Sequence, residues 1–132
     1  MADQHLEQSS GRVPPQAMDV EMSVLGAMLL EKEAISKSLE ILDEEAFYKP
    51  SHVEIFKAII SLFEKNEAAD SITVVEELRR AGKLDHVGGP LYIADLTMHV
   101  TSAANVEYHA KIVLEKALLR SLITTSTEIG IL

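Results

Sequence analysis

The residues that could bind a nucleotide phosphate are the first test of whether this chain carries out chemistry. A phosphate-binding P-loop follows the pattern G-x-x-x-x-G-K-[ST], in which glycine amides cradle the phosphates while the lysine and hydroxyl reach the γ-phosphate and Mg²⁺. The nearest approach is Gly82-Lys83, but Leu84 follows where the hydroxyl belongs, and Glu77 stands five positions before Gly82. The chain therefore lacks a P-loop, and we expect no nucleotide hydrolysis and no cofactor site.

Metal-binding and nucleophilic side chains are also poorly arranged for chemistry. The chain has no cysteine, and no two histidines have the H-x-x-x-H spacing that places two imidazoles on one helix face. The run Asp43-Glu44-Glu45 lacks the alternating acids and central glycine of an EF-hand loop, so we interpret it as a solvated helix start. We predict no catalytic or metal-binding residue. We interpret every histidine as a surface residue or a neighbour of a helix cap: His5, His52, His86, His99 and His109.

DNA binding is a second possible function, and it rests on the segment from Ile72 to Leu84. A short helix that ends in Arg79-Arg80 and a glycine turn is similar to the recognition helix of a helix-turn-helix regulator. The same pattern fits a small amphipathic helix whose arginines complement the negative end of the helix dipole. The formal net charge of −9 favours the second interpretation, because DNA affinity comes largely from basic residues that displace counterions. A DNA-binding regulator stays as the alternative hypothesis.

The composition and the hydrophobic spacing predict an all-α fold. Hydrophobic residues make up 47% of the 132 residues, and they are mainly aliphatic, with only 3 Phe, 3 Tyr and no Trp. Apolar residues recur at helical spacing, and no segment shows the sustained alternation of a β-strand. No apolar run approaches the roughly 18 residues that a membrane span needs, and no secretion signal is visible. We therefore expect a cytoplasmic protein with no membrane partner.

Local signals predict where the helices begin and end. We predict helices over about 19–30, 33–42 and 52–65, the last opened by a capping box in which Ser51 pairs with Glu54. A further helix is capped by Asp70 or Ser71 and ended by Gly82 at the position where glycine is favoured. The remaining two helices start near Pro90 and after Ser102 or Asn105.

The last helix, which contains VEYHAKIVLEKALLRSLI (Val106 to Ile123), has more apolar surface than one core can cover. At about 100° per residue, its apolar side chains fall on two sides rather than in one stripe. Val106, Ala110, Val113 and Ala117 share one side, and Leu114, Leu118 and Leu122 lie beside them. The nearly opposite side carries Tyr108, Ile112, Leu119 and Ile123. This pattern predicts that another helix or another molecule covers the second side.

Five blocks of sequence, in order and at matching separations, resemble the N-terminal domains of DnaB-type bacterial replicative helicases. The family usually has Glu-Ala-Glu where this chain has Asp19-Val20-Glu21, and often a proline where Thr101 stands; neither position has a catalytic role. The most specific block is the last. The blocks are PPQAMDVEMSVLGAMLL (Pro14 to Leu30), FYKPSHVEIFKAI (Phe47 to Ile59), DSITVVEEL (Asp70 to Leu78), VGGPLYIADL (Val87 to Leu96) and TSAANVEYHAKIVLEKALLRSLI (Thr101 to Ile123).

The resemblance implies a domain organisation and a set of partners. Residues 14–100 would form a compact helical head, and 101–132 the first helix of a hairpin whose second arm lies beyond Leu132; the polar residues 1–13 are expected to be a disordered tail. In this family such domains pair and form a trimer-of-dimers collar on a hexameric ring. The collar receives the C-terminal domain of primase, and possibly a helicase loader. ATP, Mg²⁺ and most DNA contacts are expected in a C-terminal ATPase domain that is absent from this sequence.

The resemblance also predicts what covers the second apolar side of the last helix. The second hairpin arm and a partner subunit would cover it. We therefore predict contacts with a partner subunit at Tyr108, Ile112, Leu119 and Ile123. Tyr92 and Ile129 are further candidates for docking primase.

Overall fold

All regular secondary structure in the described part of the chain, residues 13–100 and 102–128 of a computed structural model, is helical. The all-α prediction is therefore confirmed. The predicted disordered tail lies outside the described residues, except for Val13. The helices are α1 (Met18–Leu30), α2 (Lys32–Leu39), α3 (Pro50–Glu64), α4 (Ser71–Arg80), α5 (Gly89–Met98) and α6 (Val106–Glu128), with 3₁₀ turns at Glu44–Ala46 and Ala103–Asn105.

Helix α1 is the centre of the domain, and it packs against α2, α3, α5 and α6. Val24, Leu25, Ala27, Met28 and Leu29 are all buried on this helix, so its C-terminal half is apolar on every side. A helix that is apolar all round must be enclosed by neighbours. Helix α4 completes the head by packing against α3 and α5.

Gly26 allows α1 and α5 to approach closely. A methyl group at Gly26 would overlap the carbonyl oxygen of Leu96 and would lie 2.6 Å from Val100 Cγ2. The absence of a side chain therefore lets the backbone of α5 sit directly on α1.

Two helix ends differ from the prediction. The capping box of Ser51 and Glu54 is wrong, because α3 begins two residues earlier, with Pro50 at its first position and Lys49 as the N-cap. Proline is pre-organised for that position and needs no hydroxyl cap. Ser51 is instead buried, and its hydroxyl has no hydrogen-bond partner among the described residues. Helix α2 ends at Leu39, three residues before the predicted end.

Asp70 caps α4 as predicted. Its Oδ1 accepts hydrogen bonds from the backbone N–H groups of Ile72 (3.0 Å) and Thr73 (2.9 Å), and the Thr73 hydroxyl accepts one from the Asp70 N–H (2.9 Å). These bonds, above all the one from the Thr73 backbone, lower the pKa of the Asp70 carboxyl below its ordinary value. Gly82 follows the helix with a φ of 72°, in the left-handed region that glycine tolerates.

The cap predicts a pH-dependent effect of Asp70→Ala. At pH 7 the variant should lose about 1 kcal/mol of unfolding free energy, because two N–H groups at the helix start lose their acceptor. Since folding lowers the pKa, the part of this stabilisation that depends on the carboxylate charge is present above about pH 4 and is lost as the pH falls through the folded-state value. Urea denaturation from pH 7 to pH 2.5 should show the difference between the two proteins narrowing. Asp70→Asn, which keeps a neutral cap, is the control; a difference that does not change with pH would contradict the assignment.

Candidate interaction site

The first half of α6 belongs to the core of the head. Val106, Ala110 and Val113 are buried, and the helix packs against α1 and α2. These residues are on the side of the helix that the sequence pattern assigned to the core. The sequence therefore correctly identified one of the two apolar sides.

The other side of α6 is uncovered in the structure. Tyr108 is 68% exposed, Leu119 41% and Ile123 44%, whereas Ile112 is half-buried. Leu118 and Leu122 are more exposed still, at 60% and 62%. Ile129, a further predicted contact residue, lies outside the described residues. We call the five exposed side chains (Tyr108, Leu118, Leu119, Leu122 and Ile123) the α6 outer face.

Leu118 and Leu122 are two members of the α6 outer face that sequence reasoning missed. They were placed beside the buried stripe, but both point away from the head, which α6 leaves at Arg120; residues 121–125 are all exposed. Their spacing of four residues was the available signal, because it places them on one ridge next to Leu119 and Ile123. The face thus spans about 140° of the helix at 100° per residue.

Arg120 fixes the position at which α6 leaves the head. Its Nη1 donates to the carbonyl oxygen of Pro15 and its Nη2 to that of Ala46, both at 2.8 Å. The guanidinium carbon also lies 5.3 Å from the centre of the Tyr48 ring, a cation–π distance. The segment at Pro15, the 3₁₀ turn at Glu44–Ala46 and α6 are therefore joined by one side chain.

A chain of polar side chains runs through the core beneath Tyr92. His52 Nδ1 and Glu21 Oε1 are 2.7 Å apart, and His52 Nε2 and Tyr92 Oη are 2.6 Å apart. An ionised carboxylate can only accept, so Nδ1 donates to Glu21, and a neutral imidazole then accepts from the Tyr92 hydroxyl at Nε2. Glu21 also accepts from the backbone N–H of Tyr48 at 2.7 Å, and Lys49 Nζ lies 3.4 Å from Tyr92 Oη.

His52 is the third residue of α3, next to the cap as one part of its interpretation had it, but the other part, a surface position, is wrong. Its side chain is fully buried, and so is that of Glu21. The sequence did contain a signal, because His52 is on the same helical stripe as Ile55, Phe56 and Ile59. Tyr92, predicted as a docking residue, is half-buried, and its hydroxyl is engaged by His52.

The described residues offer little support for chemistry or for DNA binding through α4. They contain no group of three or more His, Cys, Asp or Glu side chains that could hold a metal ion. Arg79 pairs with Glu76, and Arg80 pairs with Glu77 at 3.5 Å. The two arginines of the helix-turn-helix hypothesis are thus balanced by carboxylates of their own helix. Across residues 13–100 and 102–128, no helix is long and apolar enough to cross a membrane.

This chain is similar to known proteins in both sequence and fold. The model of the DnaB-like helicase N-terminal domain matches residues 13–115. The replicative DNA helicase DnaB of Rhodothermus marinus is 57% identical over 122 residues, and that of Mycobacterium leprae is 47% identical over 119 residues. These matches cover 92% and 90% of this chain but only 13% and 20% of the relatives. The crystal structure of the N-terminal domain of DnaB helicase from Mycobacterium tuberculosis superposes with a TM-score of 0.88 at 46% identity, covering 89% of this chain and 86% of that one.

The fold and the α6 outer face define a helical domain with a closed head, from which one helix emerges with an uncovered apolar side. The family follows from the comparisons. The chain belongs to the DnaB-like helicase N-terminal domain family.

The buried polar chain predicts a large effect of His52→Ala. The variant should lose about 3–5 kcal/mol of unfolding free energy, because it leaves the carboxylate of Glu21 buried without its partner. Tyr92→Phe should lose about 1–3 kcal/mol, since it removes only the outer hydrogen bond. Urea denaturation at pH 7.5 measures both. His86→Ala, at an exposed histidine, should stay within about 0.5 kcal/mol of the unsubstituted chain. A His52→Ala variant as stable as His86→Ala would refute the buried hydrogen bond between His52 and Glu21.

Proposed function

We propose that this chain is the assembly and docking domain of a hexameric bacterial replicative DNA helicase. The observation that carries the proposal is the α6 outer face, in which five large apolar side chains are exposed on a helix whose other side is core. Exposed apolar patches of this kind mark protein contacts. The family membership and the names of the relatives supply the helicase context.

Self-association through α6 is supported by the charges on this helix. Residues 106–128 contain three acidic side chains (Glu107, Glu115 and Glu128) and three basic ones (Lys111, Lys116 and Arg120), so the helix is formally neutral. The net charge of −9 is therefore carried entirely by the rest of the chain. Two copies can bring α6 helices together without strong local repulsion. Such pairs would build the trimer of dimers that forms a collar on the hexameric ring.

Docking of the C-terminal domain of primase is the second part of the proposal, and a helicase loader is a further possible partner. Tyr92 supports a docking role because its hydroxyl is held at a fixed position by His52 and Lys49 while part of the side chain stays accessible. Aromatic and apolar anchors held in this way tend to dominate binding energy. Ile123 and Ile129 are the proposed apolar contacts on the last helix.

The chemistry of the parent helicase is assigned to sequence outside this chain. The matched part is 13–20% of the two helicases named above. ATP-dependent unwinding, with ATP and Mg²⁺ bound by a C-terminal domain, would then be carried out by the remainder of a longer chain in the bacterial cytoplasm. The lack of a P-loop in these 132 residues agrees with that division.

Self-association predicts a specific effect of the double substitution Leu119→Asp and Ile123→Asp. Sedimentation equilibrium of the unsubstituted chain, up to about millimolar concentration, should show a monomer–dimer equilibrium, and the variant should stay monomeric because two carboxylates would be desolvated in the contact. Ile72→Asp with Leu91→Asp is the matched control: it adds the same charge at exposed apolar positions outside α6. An unsubstituted chain that remains monomeric, or equal weakening by both variants, would contradict association through α6.

Primase docking is tested by calorimetric titration of this chain with the C-terminal domain of the cognate primase. We expect saturable binding that Ile123→Asp weakens by about tenfold or more, because an apolar anchor becomes charged. Ile72→Asp should bind as the unsubstituted chain does. Binding that is insensitive to Ile123→Asp would place the contact elsewhere. No binding, either to this chain or to the full-length helicase, would remove primase as the partner.

A further inference from the structure

A second surface, separate from α6, has the properties of a docking groove. It lies between the end of α2, the 3₁₀ turn at Glu44–Ala46 and α3, and its volume is about 500 Å³. Its floor is apolar and is made by Leu39, Phe56 and Ile60. Phe56 is buried, whereas Leu39 and Ile60 are only partly covered, so the groove presents aliphatic surface to solvent.

The rim of the groove is acidic and lacks internal compensation. Asp43, Glu44 and Glu64 line it and are exposed. None of the ion pairs formed within the described residues includes any of these three carboxylates. Lys57, the one lysine that lines the groove, pairs with Glu54 at 3.9 Å. The rim therefore presents negative charge that nothing within the described residues neutralises by direct contact.

The position of Glu64 adds an unfavourable electrostatic term. It is the last residue of α3, whose last turn contains no basic residue; the C-cap residue that follows is Lys65, and its Nζ lies 3.7 Å from Glu77 rather than on the groove rim. The C-terminal end of a helix carries partial negative charge, so a carboxylate there is disfavoured and a cation is favoured. A cationic partner beside Glu64 would reduce this unfavourable term.

The whole segment around the groove is unusually acidic. Residues 39–64 contain six carboxylates against two lysines, a formal charge of −4 out of the total of −9. The acidic residues are Glu40, Asp43, Glu44, Glu45, Glu54 and Glu64, and the lysines are Lys49 and Lys57.

We propose that this acidic groove docks a basic amphipathic helix of another protein. Apolar side chains of the partner, spaced at i, i+3 or i+4 and i+7, would sit on Leu39 and Ile60, since helix-in-groove recognition uses one apolar face. Lysine or arginine side chains beside that face would meet Asp43, Glu44 and Glu64. The charge complementarity selects a basic partner over a second copy of this acidic chain. No residue of α6 lines the groove, so the proposal is independent of assembly through the α6 outer face.

The probe for this proposal is a labelled amphipathic peptide of leucine and lysine, about 16 residues long, which is a little over four helical turns. Its matched counterpart has glutamate in place of every lysine. Fluorescence anisotropy should show saturable binding of the lysine peptide that weakens with added salt, and no binding of the glutamate peptide. Amide chemical shifts in the ¹⁵N-labelled chain should change at Leu39, Glu44 and Ile60.

Two sets of variants separate the groove from attraction by the total charge. Glu44→Lys with Glu64→Lys should weaken binding by about tenfold or more, because the rim becomes basic. Glu31→Lys with Asp95→Lys makes the same change of charge at exposed positions outside the groove and should have a much smaller effect. Leu39→Ala with Ile60→Ala, checked for folding by circular dichroism, should weaken binding without any change of charge.

Three results would overturn the proposal. The first is an equal loss of binding in the two lysine variants, which would indicate bulk attraction. The second is a set of shift changes centred outside the groove. The third is a groove variant that alters self-association of the chain instead of peptide binding, which would make a second copy the occupant.

Discussion

Glu21 and His52 place two ionisable side chains in a core that is otherwise mostly apolar, and their contact joins separate parts of the head. Removing such groups from water costs several kcal/mol each unless every polar atom finds a partner in good geometry. Here the groups that form these contacts come from three separate parts of the chain. They are the backbone of Tyr48, which lies between the 3₁₀ turn at Glu44–Ala46 and α3, His52 at the start of α3, and Tyr92 on α5. Glu21 and His52 keep these bonds only while all three segments lie close to α1. The buried contact therefore constrains the relative positions of these helices in addition to the apolar packing.

The closed head explains how one helix can contribute to the core and still leave one of its sides free. The head is closed around α1, so α6 needs only its first half to complete the core. Arg120 then ties α6 to the carbonyl groups of Pro15 and Ala46, where apolar contact with the head ends. A helix anchored by charge-assisted bonds to backbone groups emerges in a fixed direction. The α6 outer face is therefore presented by a rigid support, which reduces the entropy lost when a partner binds.

The sequence predicted the helices and the two-sided nature of α6 because both depend on local spacing. Apolar periodicity reports which side of a helix is buried, and Val106, Ala110 and Val113 follow it. Where α6 leaves the head depends on contacts between residues 74 and 105 positions apart in the chain, which no local pattern encodes. His52 was misjudged for the same reason: its partners, Glu21 and Tyr92, are 31 and 40 residues away. The capping box at Ser51 failed because Pro50, directly before it, already defines the helix start.

The α6 outer face and the acidic groove differ in their local charge. A chain with a net charge of −9 repels copies of itself, and at physiological salt that repulsion is screened beyond about 8 Å. Close approach is therefore least opposed where the local charge is balanced, and residues 106–128 are formally neutral. The acidic groove has the opposite character, since its carboxylates would repel a second copy at contact distance and attract a basic segment. Under the two proposals, charge would direct identical chains to α6 and a cationic partner to the groove, and the two contacts would not compete.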